Sequence, residues 1–216
     1  MLSDQVLFEH RGPFGIIVQF RQSLLLLVGL LLFLGFNPSN PIGSLVFPAV
    51  LISSIYLHEI GHAWACKVQR IPIREVVVYG GGGYVLPGRS LSRREDEFVT
   101  AMGPIVNLGL WAISSLILLY FPTGQIGYAL YIIAQVNIFL AIFNLFPMMP
   151  LDGGRLFHLF LARFLKPKLA TRIAGGVGLI CCGLWLIILI LRFTTGGMLL
   201  LFIPQFGLHW RMLRQA

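Results

Sequence analysis

Five stretches of this chain are apolar for about 20 residues each, the length of helix that crosses a hydrocarbon core of roughly 30 Å. They run from Gly15 to Phe36, Ser44 to Ala65, Phe98 to Tyr120, Ile126 to Phe146 and Ile173 to Phe193. A sixth, Met198 to Trp210, is shorter and carries Pro204, so it is expected to be tilted, re-entrant or interfacial. Backbone groups in lipid must be satisfied within their own segment, which leaves helices as the fitting element for runs of this kind. The expected fold is an all-α polytopic membrane protein with about six transmembrane helices. Only 11% of the residues are charged, 57% belong to the hydrophobic set, and the mean hydropathy is +0.85, which excludes an ordinary soluble domain.

The first run contains Arg21 and Gln22, and its clean part, Leu24 to Phe36, has the length of a signal-peptide core. The sequence after it, NPSNP, lacks a small-residue cleavage pattern, so an uncleaved span is expected. The 16 Lys and Arg fall in alternation. Two stand at the N-terminal end, then 0, 6, 0, 5 and 1 lie in or beside successive loops, and 2 lie in the tail. By the positive-inside rule both termini are expected to be cytoplasmic; separately, a prokaryotic cell membrane is the expected setting. The net charge of +8 thus reports orientation beside anionic lipid; no soluble basic module for nucleic acid is present. Cys66, Cys181 and Cys182 are expected to be packing residues, and one membrane domain is expected over residues 1–216.

Within the second run, His58, Glu59 and His62 form H-E-x-x-H. Residues four apart on a helix share a face, so both imidazoles can hold one metal while Glu59 accepts a proton from an attacking water. Zinc suits imidazole plus carboxylate in an open four-coordinate site, with cobalt and iron as alternatives on residue type. The bland reading is that the histidines satisfy each other or a carbonyl while Glu59 snorkels. Against it, His58 lies about 10 Å inside the span at ~1.5 Å per residue. A charge at mid-helix costs about 2.5–3.5 kcal/mol even on the lenient scale.

A catalytic site needs a third protein ligand. Cys66 is a turn too far along the helix, and His10, His158 and His209 are expected to be interfacial or solvated. Asp152, in NLFPMMPLDGGR from Asn144, is the stronger candidate. Pro147 and Pro150 break the fourth run near the side where His58 lies. Asp152 is equally well placed to cap a helix beginning near Gly153.

Three motifs, HEIGHAWACK from His58, AMGPIVNLG from Ala101 and NLFPMMPLDGGR from Asn144, together resemble the site-2 proteases, polytopic metalloproteases that cleave within the membrane. The resemblance covers about 44–155 and marks that segment as the catalytic core. It implies one Zn2+ per chain held by His58, His62 and Asp152, with Glu59 as general base. It also implies that Asn144 assists substrate or oxyanion binding, and it draws attention to Gly103, Pro104 and Asn107 of a G-P-x-x-N element. Asn107 reads equally as polar glue between helices. Met149 stands where many relatives have proline.

Between the second and third runs, IREVVVYGGGGYVLPG mirrors β-branched and aromatic residues about four glycines, a hairpin pattern. The resemblance places a small sheet there at the membrane surface, whose edge at Gly82 and Gly83 would pair with an extended substrate; a flexible turn that binds nothing is the equal alternative. The following SRRE is a capping box, which assigns Glu95, Asp96 and Glu97 to a helix start and removes them from the catalytic candidates. The implied activity is hydrolysis of a peptide bond in a transmembrane protein substrate, regulated by membrane partners. The alternatives are a metal-ion transporter and a catalytically silent scaffold. Transporters commonly distribute ionisable groups over several repeated spans, whereas the polar chemistry here is concentrated on two.

Overall fold

The computed structural model describes residues 4–194 and 202–214. The chain divides into two compact units, Met1–Ala141 and Ile142–Ala216, each taken by itself below.

In the first unit, strand β1 (Val6–Arg11) leads through a short turn to β2 (Ile17–Arg21), then helices α1 (Ser23–Gly35) and α2 (Pro41–Val68). Strands β3 (Ile73–Tyr79) and β4 (Gly82–Pro87) follow, then α3 (Arg93–Leu118) and α4 (Gly124–Asn144), which runs on into the second unit. The expected hairpin is present as β3–β4, but the sheet is larger than expected, with order β1-β2-β3-β4. β1 pairs antiparallel with β2, and β2 pairs parallel with β3, with α1 and α2 forming the crossover that a parallel pair requires.

The first apolar run is therefore not one helix. Its opening residues alternate, with Val18 and Phe20 buried, Ile17 exposed and Gln19 half-buried, which is the period of a strand. Its remainder is α1, whose 13 residues span only about 20 Å at ~1.5 Å each. Among the described residues four helices, α2, α3, α4 and α6 (Pro167–Thr194), are long and apolar enough to cross a membrane. Of the sixth run, residues 198–201 lie outside the described residues, and the rest ends in the nine-residue α7 (Phe206–Arg214).

Val18, Phe20, Val76 and Val78 of the sheet pack with Leu24 of α1 and with Ile60 and Ala63 of α2. Asn40 caps α2, its Oδ1 accepting the Gly43 N–H at 3.0 Å, and Pro41 occupies the first turn. The capping box at α3 is formed as expected: Ser92 N–H donates to Glu95 Oε2 at 2.8 Å, and Ser92 Oγ accepts from Glu95 N–H. Gly61 allows α2 and α3 to touch, since a Cβ there would meet the Met102 carbonyl oxygen and Val106 Cγ2 at 2.8 Å. Ser23 donates from its N–H and hydroxyl to the Asp4 carboxylate at 2.9 and 2.7 Å, which holds that carboxyl below its ordinary value. Ser23 Oγ also accepts the Gly80 N–H at 3.0 Å, tying the start of α1 to the β3–β4 turn.

In the second unit, α5 (Asp152–Phe164) precedes α6, and α7 packs on α6. Phe143, Met148, Leu151, Cys181, Cys182 and Trp185 form its buried cluster, so both of these cysteines act as packing residues. Gly175 and Gly178 admit α7: a Cβ on Gly175 would lie 2.7 Å from Leu213 N, and one on Gly178 would fall inside the His209 ring contact. His209 is accordingly buried at 1% exposure, not interfacial or solvated as its position near the C-terminus suggested.

Candidate metal centre

His58, Glu59 and His62 are buried on α2, the histidines one turn apart with their rings edge to face. Each histidine is oriented by α3. The Nδ1 of His62 donates to the Val99 carbonyl at 2.7 Å, and that of His58 donates to Asn107 Oδ1 at 2.5 Å. Val99, Gly103 and Asn107 are spaced by four, so they form one stripe facing the histidines. Gly103 is where the rings come closest to α3. A Cβ there would lie 2.4 Å from His62 Nε2 and 2.6 Å from His58 Nε2.

A carbonyl can only accept, so the bond to Val99 places the ring proton of His62 on Nδ1 and leaves a lone pair on Nε2. The same holds for His58 against the amide oxygen of Asn107. The two Nε2 atoms are 3.1 Å apart. Two lone pairs at that separation repel unless a cation or proton lies between them. Two imidazoles about 2.0–2.1 Å from one tetrahedral centre would stand about 3.3 Å apart. The donor set therefore fits a metal, and both ring tautomers are the ones a metal needs.

Asn107 belongs to a buried hydrogen-bonded chain that continues into α4. Its Nδ2 donates to Asn137 Oδ1 at 2.8 Å, and Asn137 Nδ2 donates to Ser54 Oγ and to the Ile133 carbonyl, both at 2.9 Å. Asn107 and Asn137 are both wholly buried. The signal available for Asn137 was an amide in a mostly apolar stretch of α4, seven residues before Asn144 and so near the same helix face.

Glu59 points the other way, to the sheet. A Cβ on Gly83 of β4 would meet Glu59 Cγ at 2.5 Å and Oε1 at 2.7 Å, so the strand backbone lies directly on the glutamate. Gly82 has φ +130°, which reserves that turn position for glycine. β4 ends the strand order, so one of its edges is unpaired within the sheet.

In the second unit Asp152 is the first residue of α5, and the cap position belongs to Leu151, with no side-chain capping bond. The reading of Asp152 as a helix cap does not hold. Its carboxylate stands in the first turn, where the helix dipole favours it. Gly153 and Gly154 press α5 onto the preceding loop: Cβ atoms there would lie 2.1 Å from the Leu145 carbonyl oxygen and 2.5 Å from Met148 C. Asn144 is half-buried at the end of α4. The loop between is held by α7, whose His209 Nε2 accepts the Met149 N–H at 2.9 Å while its Nδ1 donates to the Gln205 carbonyl.

The rejected alternatives are accounted for elsewhere. Cys66 is buried among Ala65, Ile71 and Val99, His10 is exposed beside Tyr56, and His158 meets Thr171 Oγ1 at 3.0 Å.

A family model described as peptidase family M50 matches residues 122–188. A zinc metalloprotease of Methanocaldococcus jannaschii is 26% identical over 174 residues, 80% of this chain and 50% of that protein. A zinc metalloprotease homologue from Synechocystis sp. is 27% identical over 176 residues, 78% of this chain and 44% of its own length. The chain thus spans about half the length of the curated relatives it matches. The solved site-2 protease of Methanocaldococcus jannaschii shares the fold, with TM-score 0.69 and 22% identity over 96% of this chain and 95% of that one.

Proposed function

We propose that this chain, a member of the site-2 protease family, is an intramembrane zinc metalloprotease that hydrolyses a peptide bond in or near the transmembrane segment of its substrate. The observation that carries this reading is the histidine pair of α2, whose Nδ1 protons are committed to α3 and whose Nε2 lone pairs meet. His58, His62 and Asp152 would hold one Zn2+, and a zinc site so built supplies a Lewis acid that polarises a carbonyl and makes water acidic near neutral pH.

The chain's own residues do the rest. Glu59 is the general base, buried beside the histidines and able to take a proton from water and return it to the leaving amine. The substrate must unwind to expose its carbonyl. The unpaired edge of β4 would hold the opened strand by main-chain bonds, with Gly82 and Gly83 keeping side chains out of the way, and Gly83 lies against the base itself. Asn144 is assigned to substrate or oxyanion binding. Asn107 is assigned to the support of His58, in place of a direct contact with substrate. The whole of residues 1–216 is read as one metalloprotease domain with its core at about 44–155.

Six crossings are part of the same proposal. The first would be composite. Gly15 to Ile17 share a cleft with Lys67 at the end of α2, while Phe20 stacks near Tyr56, three turns back along that helix. β2 thus climbs beside α2, its backbone satisfied by β1 and β3, and α1 completes the passage. The last would be the tail. Phe202 accepts a bond from Trp185, and α7 then lies against Gly178 and Gly175 in that order, so the tail descends α6 towards its start. This supports cytoplasmic termini. A prokaryotic cell membrane, transmembrane protein substrates and regulation by membrane partners belong to this reading.

The test is cleavage of a panel of single-span proteins by the purified chain in liposomes. Wild type is expected to cut at least one member and Glu59→Gln none. Equal cleavage by both would remove the proposal.

A further inference from the structure

We infer that Asn137 is a positioning residue: through Asn107 it fixes which nitrogen of His58 carries the proton. This rests on the reading of His58 as a metal ligand only for its consequence, since the hydrogen-bond direction is set within α2, α3 and α4 alone.

The direction follows from acceptor-only groups. The Ile133 carbonyl cannot donate, so the Asn137 atom 2.9 Å from it is the amide nitrogen. Asn137 Oδ1 therefore faces Asn107 and accepts from its Nδ2 at 2.8 Å. The second hydrogen of Asn107 Nδ2 turns to another acceptor-only group, the Ser54 carbonyl at 3.5 Å. Two backbone carbonyls thus orient the two amides in the same sense. Asn107 Oδ1 is left facing His58, which must offer Nδ1–H, and the lone pair then lies on Nε2. Were Asn107 reversed, its NH2 would face Nδ1, the proton would move to Nε2, and the nitrogen turned towards His62 would no longer be a ligand. The Ser54 carbonyl, at 3.5 Å, is too distant to hold Asn107 in the unreversed sense by itself. Asn137, wholly buried and donating to both Ser54 Oγ and Ile133, fixes it. His62 needs no such device, because it donates directly to a backbone carbonyl that has only one sense.

The experiment uses metal-stripped full-length protein in detergent, labelled with 15N-histidine. The His58 tautomer is read from long-range proton–nitrogen spectra, and zinc affinity is read separately by chelator competition. Wild type is expected to show Nδ1–H at His58. Asn137→Leu removes the acceptor that orients Asn107, and is expected to populate Nε2–H and weaken zinc about 10- to 100-fold. Asn137→Asp keeps an acceptor towards Asn107, and is expected to retain the wild-type tautomer and bind zinc within a few-fold of wild type. It also keeps the test decisive if the leucine variant does not fold. An Asn137→Leu protein with wild-type tautomer and affinity, or an Asn137→Asp protein with the reversed tautomer, overturns the inference. A tautomer that shifts in the leucine variant while wild type takes up no zinc upholds the relay and sinks the metal reading alone.

Discussion

The backbone of Gly83 lies on the side chain of Glu59, close enough that a methyl on the glycine would fall 2.5–2.7 Å from the glutamate's Cγ, Cδ and Oε1. The strand proposed to hold the substrate and the proposed base are therefore one mechanical unit. Gly83→Ala leaves the strand conformation accessible but forces the carboxylate to move. Cleavage is expected to fall by about 10- to 100-fold, the scale of an ångström misplacement, with zinc content unchanged. Turnover of a single-span substrate beside a metal assay checks it.

Gly103 makes the matching contact with the proposed ligands. Alanine there would place its methyl 2.4–2.6 Å from the Nε2 atoms of both histidines, where the metal would have to approach. Zinc affinity is expected to drop by at least about 10-fold, within the range seen when a site's supporting contacts are lost. At Gly61 the obstructing atoms include the backbone oxygen of Met102, so Gly61→Ala is expected to lower the thermal midpoint by separating α2 from α3.

Glu59→Gln keeps the shape of the side chain and removes its basicity. The variant is expected to bind zinc as wild type does and to lose about 100-fold or more of its cleavage rate. A variant that lost metal instead would make Glu59 a ligand.

Met149 provides an N–H that a proline at this position could not, and His209 of α7 accepts it. Met149→Pro would leave the buried Nε2 of His209 without this donor, at a cost of about 1–3 kcal/mol. His209→Ala should cost a comparable amount. If the bond is the shared cause, the double variant should be no less stable than the sum of both would suggest, and closer to either single one. Thermal unfolding in detergent measures all three.

How much of this was legible in the sequence depended on distance along the chain. The H-E-x-x-H spacing declares its own geometry, because four residues of helix always return to one face. The capping box at Ser92 and the turn at Gly82 are equally local and were read correctly. β2 was hidden because Ile17, Val18 and Phe20 are as apolar as a span, and its partners β1 and β3 are chosen by pairing across the sheet. Asn137 was missed since an asparagine in a helix acquires meaning only from what faces it, here a residue 30 positions away. His209 was misjudged for the same reason: its burial is created by Gly175 and Gly178 of another helix. Asp152 could be singled out by its motif, but only the position of Leu151 as cap separated it from a helix-capping role.

The most direct measurement of the central claim is zinc per chain, by elemental mass spectrometry, in purified wild type and in Asp152→Ala. His58, His62 and Asp152 as a three-ligand set predict about one zinc in wild type, and a near-complete loss in the variant at unchanged thermal stability. An Asp152→Ala protein that keeps a full equivalent of zinc would contradict it.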